Sequence, residues 1–293
     1  MPVDKGYFAL NETAARVAWP GLSAYSLIGP DAEEWLQGQI TNDLRKLEGD
    51  GYLDACLVKA TGQLQALLRI WRGSDGVTIV AQGGEALEDR FEKFVILEEV
   101  ELKPLGSVLT VQGPQSGSIF EGLIAEQGQG EVLRSVRTGT DGFDVIGDHY
   151  GLVLMQQGRV AVDADWSEVQ AVTLERRIPL FGEDTDEKTL PPELGSDFDD
   201  AFIAYDKGCY TGQEVLQRIH SRGHTNREWT VLKVDGEVGK GSTVTTAEGS
   251  KVGEVTRCSN NPKHGHLAGV FLRKTALVAN ATLVIGDATA TLY

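Results

Sequence analysis

Hydrophobic and polar positions in the first 226 residues follow two different periods, so both strands and helices are predicted there. Apolar runs of strand length occupy residues 23–29, 54–60, 64–71, 77–81, 107–113, 149–155 and 158–164. Apolar residues at helical spacing predict helices over 30–38, 84–97, 114–125 and 165–177. Because these elements intermix without a regular βαβ repeat, the predicted class is α+β.

The pattern changes at Arg227. From this residue to 293, short β-rich runs alternate with glycine, asparagine and aspartate, and no long helical pattern follows. Short strands separated by turn signals at this spacing are typical of a small antiparallel barrel. The sequence therefore predicts an α+β region over 1–226 and a C-terminal β-barrel over 227–293.

The segment KGCYTGQEVLQRIHSRG, residues 207–223, places a cysteine just before a predicted helix. Thr211 and Glu214 have the S/T-x-x-E spacing of a capping box, and Gly223 is a natural helix end. Cys209 would then lie near the positive end of the helix dipole, which favours thiolate over thiol. The interpretation as a reactive thiol and the interpretation as an ordinary loop cysteine both stay open.

Charge is distributed unevenly along a chain whose net charge is −16. That total disfavours extensive nucleic-acid binding. Residues 181–206 are dense in acids, whereas 207–227 are rich in cations. The cations and histidines of this second segment are Lys207, Arg218, Arg222, Arg227, His220 and His224. They predict either a site for a bound anion, such as a carboxylate tail or phosphates, or neutralisation of the neighbouring acids.

The three cysteines, Cys56, Cys209 and Cys258, are odd in number and far apart. This argues against a disulfide framework and for a reducing cytoplasm. Neither a targeting peptide nor a membrane-spanning segment is expected from the pattern. No cysteine or histidine cluster has zinc spacing, so no metal site is predicted.

At this point the motif KGCYTGQEVLQR resembles the signature of the YgfZ family of folate-binding proteins, which are relatives of the glycine-cleavage aminomethyltransferase, or T-protein. Four further segments resemble these families in the same order. They are GPDAEEWLQGQITNDL (29–44), RTGTDGFDV (137–145), LERRIPLFGEDTDEKTLPPELG (174–195) and the β-rich tail from 227. The motif itself comprises Lys207, Gly208, Cys209, Tyr210, Gly212, Gln213 and Glu214.

The resemblance implies three subdomains around a central channel that binds tetrahydrofolate or a related reduced folate. The first two subdomains would be intertwined, with 1–48 joining 108–226 in one and 49–107 forming the other. Glu175 aligns with the T-protein glutamate that would accept hydrogen bonds from the two adjacent donors of a pterin. A solvated carboxylate at a helix end is the alternative for this residue. Glu193 is a second candidate for this contact. Lys207 and Arg218, in the cationic segment, would suit the anionic glutamate tail of the folate. Tyr210 would either stack on the flat ligand or simply fill the loop.

Two departures from the T-protein pattern bear on the function. Gln65 stands where the T-protein has the aspartate that acts on the aminomethyl group, and a glutamine cannot accept a proton in that role. Cys209 stands where the T-protein has no cysteine. What the YgfZ resemblance implies, and the favoured interpretation, is a cytoplasmic folate-binding accessory protein for iron–sulfur enzymes, including tRNA-modifying ones, or for their assembly proteins. Cys209 would be its functional thiol. Direct tRNA binding is not expected.

The alternative is an enzyme, a folate-dependent one-carbon transferase or demethylase. It would use a base that the sequence does not identify. Asp43, Asp54 and Asp141 are the candidates, and a structural role explains each of them better.

Overall fold

The computed structural model describes residues 4–49, 51–73, 75–127, 132–147, 162–223, 225–278 and 281–293. The predicted strand over 149–155, most of the one over 158–164, and His224 lie outside these ranges. Seven α-helices lie in the described ranges: α1 Lys5–Glu12, α2 Ala32–Gln37, α3 Gly84–Phe94, α4 Ser116–Gln127, α5 Trp166–Glu175, α6 Ser196–Phe202 and α7 Gln213–Arg222.

The strands divide among two open sheets and a barrel. Those of the open sheets are β1 Ala15–Val17, β2 Leu22–Ile28, β3 Leu53–Val58, β4 Leu64–Arg72, β5 Gly76–Gln82, β6 Glu101–Gly106, β7 Val108–Gln112, β8 Val132–Arg134, β9 Gly142–Ile146 and β10 Asp163–Ala164. Those of the barrel are β11 Arg227–Val234, β12 Thr243–Thr246, β13 Lys251–Asn261, β14 Gly265–Arg273, β15 Leu283–Ile285 and β16 Ala288–Leu292.

The first sheet has the order β10-β1-β7-β9-β8, and the second has the order β3-β4-β5-β2-β6. All neighbouring strands of the second sheet are antiparallel. The Leu22–Ile28 strand pairs with β5 and β6, so it lies in the sheet of the 49–107 group rather than apart from it. The division of residues 1–226 into 1–48 with 108–226 and 49–107 stays a prediction.

Successive side chains along a strand of the second sheet lie on opposite faces, and one face packs in the core while the other lines a cavity. Ala66, Leu68 and Ile70 of β4 lie in a buried cluster with residues of α2 and α3. Leu67 and Arg69, the intervening residues, line a cavity on the other face. A period of two places successive side chains on opposite faces, so one strand supplies both core and site.

The C-terminal region is a closed barrel with the strand order β11-β14-β13-β12-β15-β16. Its first strand starts at Arg227, where the sequence pattern changes. Leu232, Val244, Val270 and Ile285 are among the buried residues of its core. The predicted α+β class and C-terminal antiparallel barrel are confirmed. In the described ranges, no helix is long and apolar enough to cross a membrane.

Candidate ligand cavity and thiol loop

A cavity of about 200 Å³, here called the central cavity, lies where the two sheets, α6 and the segment after α5 meet. Leu67, Val80 and Leu180 give it apolar walls, and Phe198 and Phe202 line it from α6. Those two rings stack face to face, with 4.1 Å between centroids. Because ligand pockets commonly measure roughly 300–1,000 Å³, this cavity suits one small ring system rather than a whole cofactor.

Two arginine–aspartate pairs bring charge to the cavity wall. Arg69 donates to both carboxylate oxygens of Asp54, at 2.7 and 2.8 Å, and both residues line the cavity. Arg137, also in the lining, donates through Nε and Nη2 to the fully buried Asp144. Burial works against the charged form of Arg69, but Asp54 outweighs it and raises the pKa of Arg69. Each carboxylate oxygen of Asp54 keeps a free lone pair.

Two further side chains in the lining have polar groups to offer a ligand. Trp19 is 7% exposed, and its indole N–H has no hydrogen-bond partner in the described part of the chain. Gln82, at the end of β5, is half-buried in the same lining and makes no side-chain hydrogen bond to any described residue. A buried donor without a partner costs about 1–3 kcal/mol, which a ligand acceptor would offset. The central cavity thus offers donors and acceptors to a planar polar ring.

Glu175, the predicted pterin contact, is not in the lining of the central cavity. It ends α5, and its carboxylate accepts hydrogen bonds from Tyr7 of α1 and Asn261 of β13. His264 lies 3.6 Å from its other oxygen. Burial raises the pKa of Glu175, and the hydrogen bonds from Tyr7 and Asn261 outweigh it, so the pKa is lowered. The role of Glu175 as a folate contact stays a prediction, and a folate would compete with Tyr7, Asn261 and His264 for its carboxylate.

Glu193 and Lys207 are also engaged elsewhere. Glu193 receives two hydrogen bonds of 2.9 Å from Arg227 and so joins the 3-10 helix Pro191–Leu194 to the barrel. The Lys207 ammonium, which is 7% exposed, donates to the carbonyl oxygens of Gln37, Ile40 and Asn42 at 2.6, 2.8 and 2.8 Å. An ammonium has three hydrogens, so this geometry leaves none for a folate.

The predicted capping box of the motif is wrong. The N-cap of α7 is Gly212, with a positive φ of 84°, and no side chain caps the helix. A Cβ at Gly212 would lie 2.5 Å from the carbonyl oxygen of Lys59. The close approach of two backbones and the left-handed conformation both require glycine here, and they override a helix start at Thr211.

Within the motif, Tyr210 is buried in a cluster that includes Cys56, Phe198 and Leu216. It therefore fills the loop, and its hydroxyl has no partner among the described residues. Arg218 is exposed on α7 and does not line the central cavity. None of the five residues predicted to bind folate lines that cavity, so their role in binding remains a prediction.

Cys209 is exposed, whereas Cys56 is fully buried and Cys258 is partly buried. Burial raises the pKa of Cys56, which keeps that thiol protonated. Cys209 does not line the central cavity. In the described ranges, no group of three or more histidine, cysteine, aspartate or glutamate side chains is placed to hold a metal ion. Cys209 is thus a single accessible thiol on the motif loop, here defined as residues 207–212.

The comparisons with known proteins agree with this architecture. The chain is 25% identical, over 228 residues, to the tRNA-modifying protein YgfZ of Escherichia coli O127:H6 (strain E2348/69 / EPEC); the match covers 71% of this chain and 68% of that protein. A second YgfZ protein, from Vibrio atlanticus (strain LGP32), is 23% identical over 224 residues, which are 72% and 67% of the two chains. The resemblance to the YgfZ proteins is confirmed. No protein-family model matches the chain.

The fold is that of a glycine cleavage enzyme. The crystal structure of glycine cleavage system aminomethyltransferase T from Bartonella henselae superimposes with a TM-score of 0.85, at 19% sequence identity, over 99% of this chain and 88% of that one. This likeness shows the fold and confirms the predicted aminomethyltransferase-like architecture. The superposition covers 99% of this chain and so includes the two sheets and the barrel.

Several residues of the cavity escaped the sequence prediction. Trp19 and Gln82 carry no local signal, because neither belongs to a recognisable motif. Arg137 and Asp144 both lie in the RTGTDGFDV block, but their pairing across a turn was not foreseen. Asp54 was weighed only as an acid, and its pairing with Arg69 follows from the register of β3 and β4.

Proposed function

We propose that the central cavity binds the pterin ring of a reduced folate. The protein would thereby serve, like a YgfZ protein, as a folate-binding accessory factor in tRNA modification by iron–sulfur enzymes. The observation that carries the proposal is a cavity of ring size with a buried donor, the Trp19 N–H, that has no partner among the described residues, inside an aminomethyltransferase fold. The likeness to the tRNA-modifying protein YgfZ supports the link to tRNA modification.

The residues of the cavity fit a pterin in kind. A pterin edge carries an amide-like N–H and C=O beside an exocyclic amine, and its ring is flat. The free amide of Gln82 can both donate and accept, the remaining lone pairs of Asp54 can accept, and the Trp19 N–H can donate. Since the cavity accommodates one ring, the rest of a folate would extend outside it.

Turnover is not part of the proposal. Gln65, at the position of the T-protein aspartate, accepts a hydrogen bond from Arg90 and does not line the central cavity. Two of the acids that could serve as the base of an enzyme are held in ion pairs. Asp54 pairs with Arg69, and Asp43 pairs with Arg45, an interaction that lowers the pKa of Asp43. A carboxylate held by a guanidinium is a poor base.

Titration of tetrahydrofolate into the protein by anaerobic calorimetry tests the ring site. Gln82→Leu should weaken binding about tenfold, because one hydrogen bond is lost from a desolvated site. Gln217→Leu, at an exposed glutamine of α7, is the matched control and should leave the affinity unchanged. Glu175→Gln distinguishes a pterin bound in the central cavity from a pterin bound at Glu175, since this variant weakens tetrahydrofolate binding only if Glu175 is the pterin contact. Absence of heat with the unaltered protein would refute the folate proposal.

The accessible thiol is tested separately. Iodoacetamide should alkylate Cys209 well before Cys56, because one is exposed and the other is enclosed. In Escherichia coli cells that lack their own YgfZ protein, Cys209→Ser should fail to restore modified tRNA nucleosides, measured by mass spectrometry, whereas Cys258→Ser should restore them. Full restoration by Cys209→Ser would remove the thiol from the proposed function and leave folate binding intact.

A further inference from the structure

A second cavity, of about 630 Å³, opens beside α3 and is here called the Arg90 cavity. It shares no lining residue with the central cavity. Three cations, Lys59, Arg90 and Lys93, line it together with two exposed carboxylates, Asp89 and Glu92. Its size is that of a site for a small molecule.

Arg90 is a buried cation with no counterion in the described part of the chain. It is 6% exposed, and its Nη2 donates to the backbone oxygen of Val58 and to Oε1 of Gln65, at 2.7 and 2.6 Å. Its Nη1 is buried without a hydrogen-bond partner among the same residues. The ring of Phe94, 5.8 Å from the guanidinium carbon, is the remaining contact. Burying an unpaired charge is costly, and here burial lowers the pKa of Arg90.

Gln65 is the side chain that meets Arg90. A carboxylate at this position would lie within reach of Arg90 Nη2 and neutralise it. Glutamine accepts the hydrogen bond but carries no charge. The charge of Arg90 is therefore left for an external anion to neutralise.

The Arg90 cavity also borders the motif loop. Thr211 lines it, and Gly212 packs on the carbonyl of Lys59, another lining residue. Arg90 itself holds the carbonyl of Val58, which directly precedes Lys59. An anion bound at Arg90 would thus lie beside the loop that presents Cys209, two residues before Thr211.

We propose that the Arg90 cavity binds an oxyanion group, a phosphate or a carboxylate, of a small molecule, with Arg90 as its principal ligand and Lys59 and Lys93 as secondary cations. Both hydrogens of Arg90 Nη2 are already used, so Nη1 offers its two hydrogens to either oxyanion as a charged donor. The aromatic face of Phe94 can cover an apolar or planar part of the same ligand. This site is independent of folate binding in the central cavity.

Calorimetry at constant ionic strength tests the proposal, with pyrophosphate as the phosphate probe and triglutamate as the carboxylate probe. The unaltered protein should bind at least one of them, and the tighter of the two identifies the oxyanion class. Arg90→Met should weaken that binding on the order of tenfold or more, since a charge-assisted hydrogen bond is lost. Lys103→Met, at an exposed lysine of β6, should change nothing.

Two further variants keep the test decisive if Arg90→Met does not fold. Gln65→Glu retains Arg90 but supplies an internal carboxylate, so it should abolish anion binding while the protein stays folded. Asp89→Asn removes a repulsive charge and should strengthen binding a few-fold. The proposal is overturned if neither probe binds the unaltered protein beyond a chloride control, or if Gln65→Glu binds as well as the unaltered protein does.

Discussion

Replacing Asp184 by asparagine should destabilise the protein by about 3–5 kcal/mol, the cost of leaving a buried charge without its partner. Arg257 of β13 is 3% exposed and Asp184 is fully buried, with 2.6 Å between Nε and Oδ2. The rest of the guanidinium donates to the carbonyl oxygens of Gln170 and Ile178 and to the hydroxyl of Thr173. Asparagine has the shape of aspartate but not its charge, so the arginine would remain in place uncompensated.

This pair joins the barrel to the segment that walls the central cavity. Asp184 also accepts the backbone N–H of Leu180, which lines that cavity. Guanidinium chloride unfolding followed by circular dichroism measures the effect. Asp163→Asn is the matched control, because Asp163 is 73% exposed in its pair with Arg16 and should cost no more than about 1 kcal/mol. Equal stability of the two variants would contradict the prediction.

A double variant separates charge from packing. Asp184→Asn combined with Arg257→Met removes both charges, and apolar replacement of a buried ion pair is often neutral or stabilising. The double variant should therefore recover part of the loss caused by Asp184→Asn alone. If it is less stable than the single variant, the hydrogen bonds of Arg257 to Gln170, Thr173 and Ile178 matter more than the charge pair.

The second large effect is expected at Lys207. Lys207→Met should lower the free energy of unfolding by about 3 kcal/mol or more, since three hydrogen bonds from a charged donor are lost and three carbonyls lose their partner. Lys46→Met is the control, because Lys46 is half exposed and meets Asp206 only at 3.4 Å. Its effect should stay within about 0.5 kcal/mol. Thermal and denaturant unfolding of both variants provide the comparison.

The difference in the free energy of unfolding between the unaltered protein and Lys207→Met should change with pH in a defined direction. Burial lowers the pKa of Lys207 from 10.5 to about 8, opposed by the nearby negative charge of Asp43. Between pH 8 and 10.5 the unfolded chain holds a proton at this site that the folded chain has released, so rising pH favours the folded state. The gap between the unaltered protein and Lys207→Met should be constant below pH 8 and grow above it. A gap that stays constant up to pH 10.5 and shrinks above it would contradict this prediction and show that the carbonyls hold the proton on Lys207.

Lys207 and Gly212 show that the motif of residues 207–214, which is predicted to contribute to folate binding, also has a structural function. Both residues belong to the segment that carries the YgfZ resemblance, yet the lysine binds a turn and the glycine permits close backbone contact. Tyr210 packs in the core between them. Three residues of the motif thus fix the loop on which Cys209 is exposed, which leaves the cysteine as its chemically available member.

Local sequence patterns do not predict which protein partners a charged side chain meets. The assignment of Glu175, Glu193 and Lys207 to a folate stays a prediction. In the structure each of them also meets protein partners, and those of Lys207 lie 165 to 170 positions away in the chain. Local spacing carries no information about such distant acceptors. A buried charged group must be hydrogen-bonded or paired, and the tertiary structure decides which groups do this.

The sequence by itself determined the α+β class, the start of the barrel at Arg227 and the buried faces of the strands, because the period of apolar positions reports which side chains leave water. It also identified the motif that carries the resemblance to the YgfZ proteins. Only the tertiary structure decided that Trp19, Asp54 and Gln82 share one cavity while Arg90 faces another. Cavities form where separate segments meet, and hydrogen bonds between those segments depend on their three-dimensional register, which no local pattern encodes.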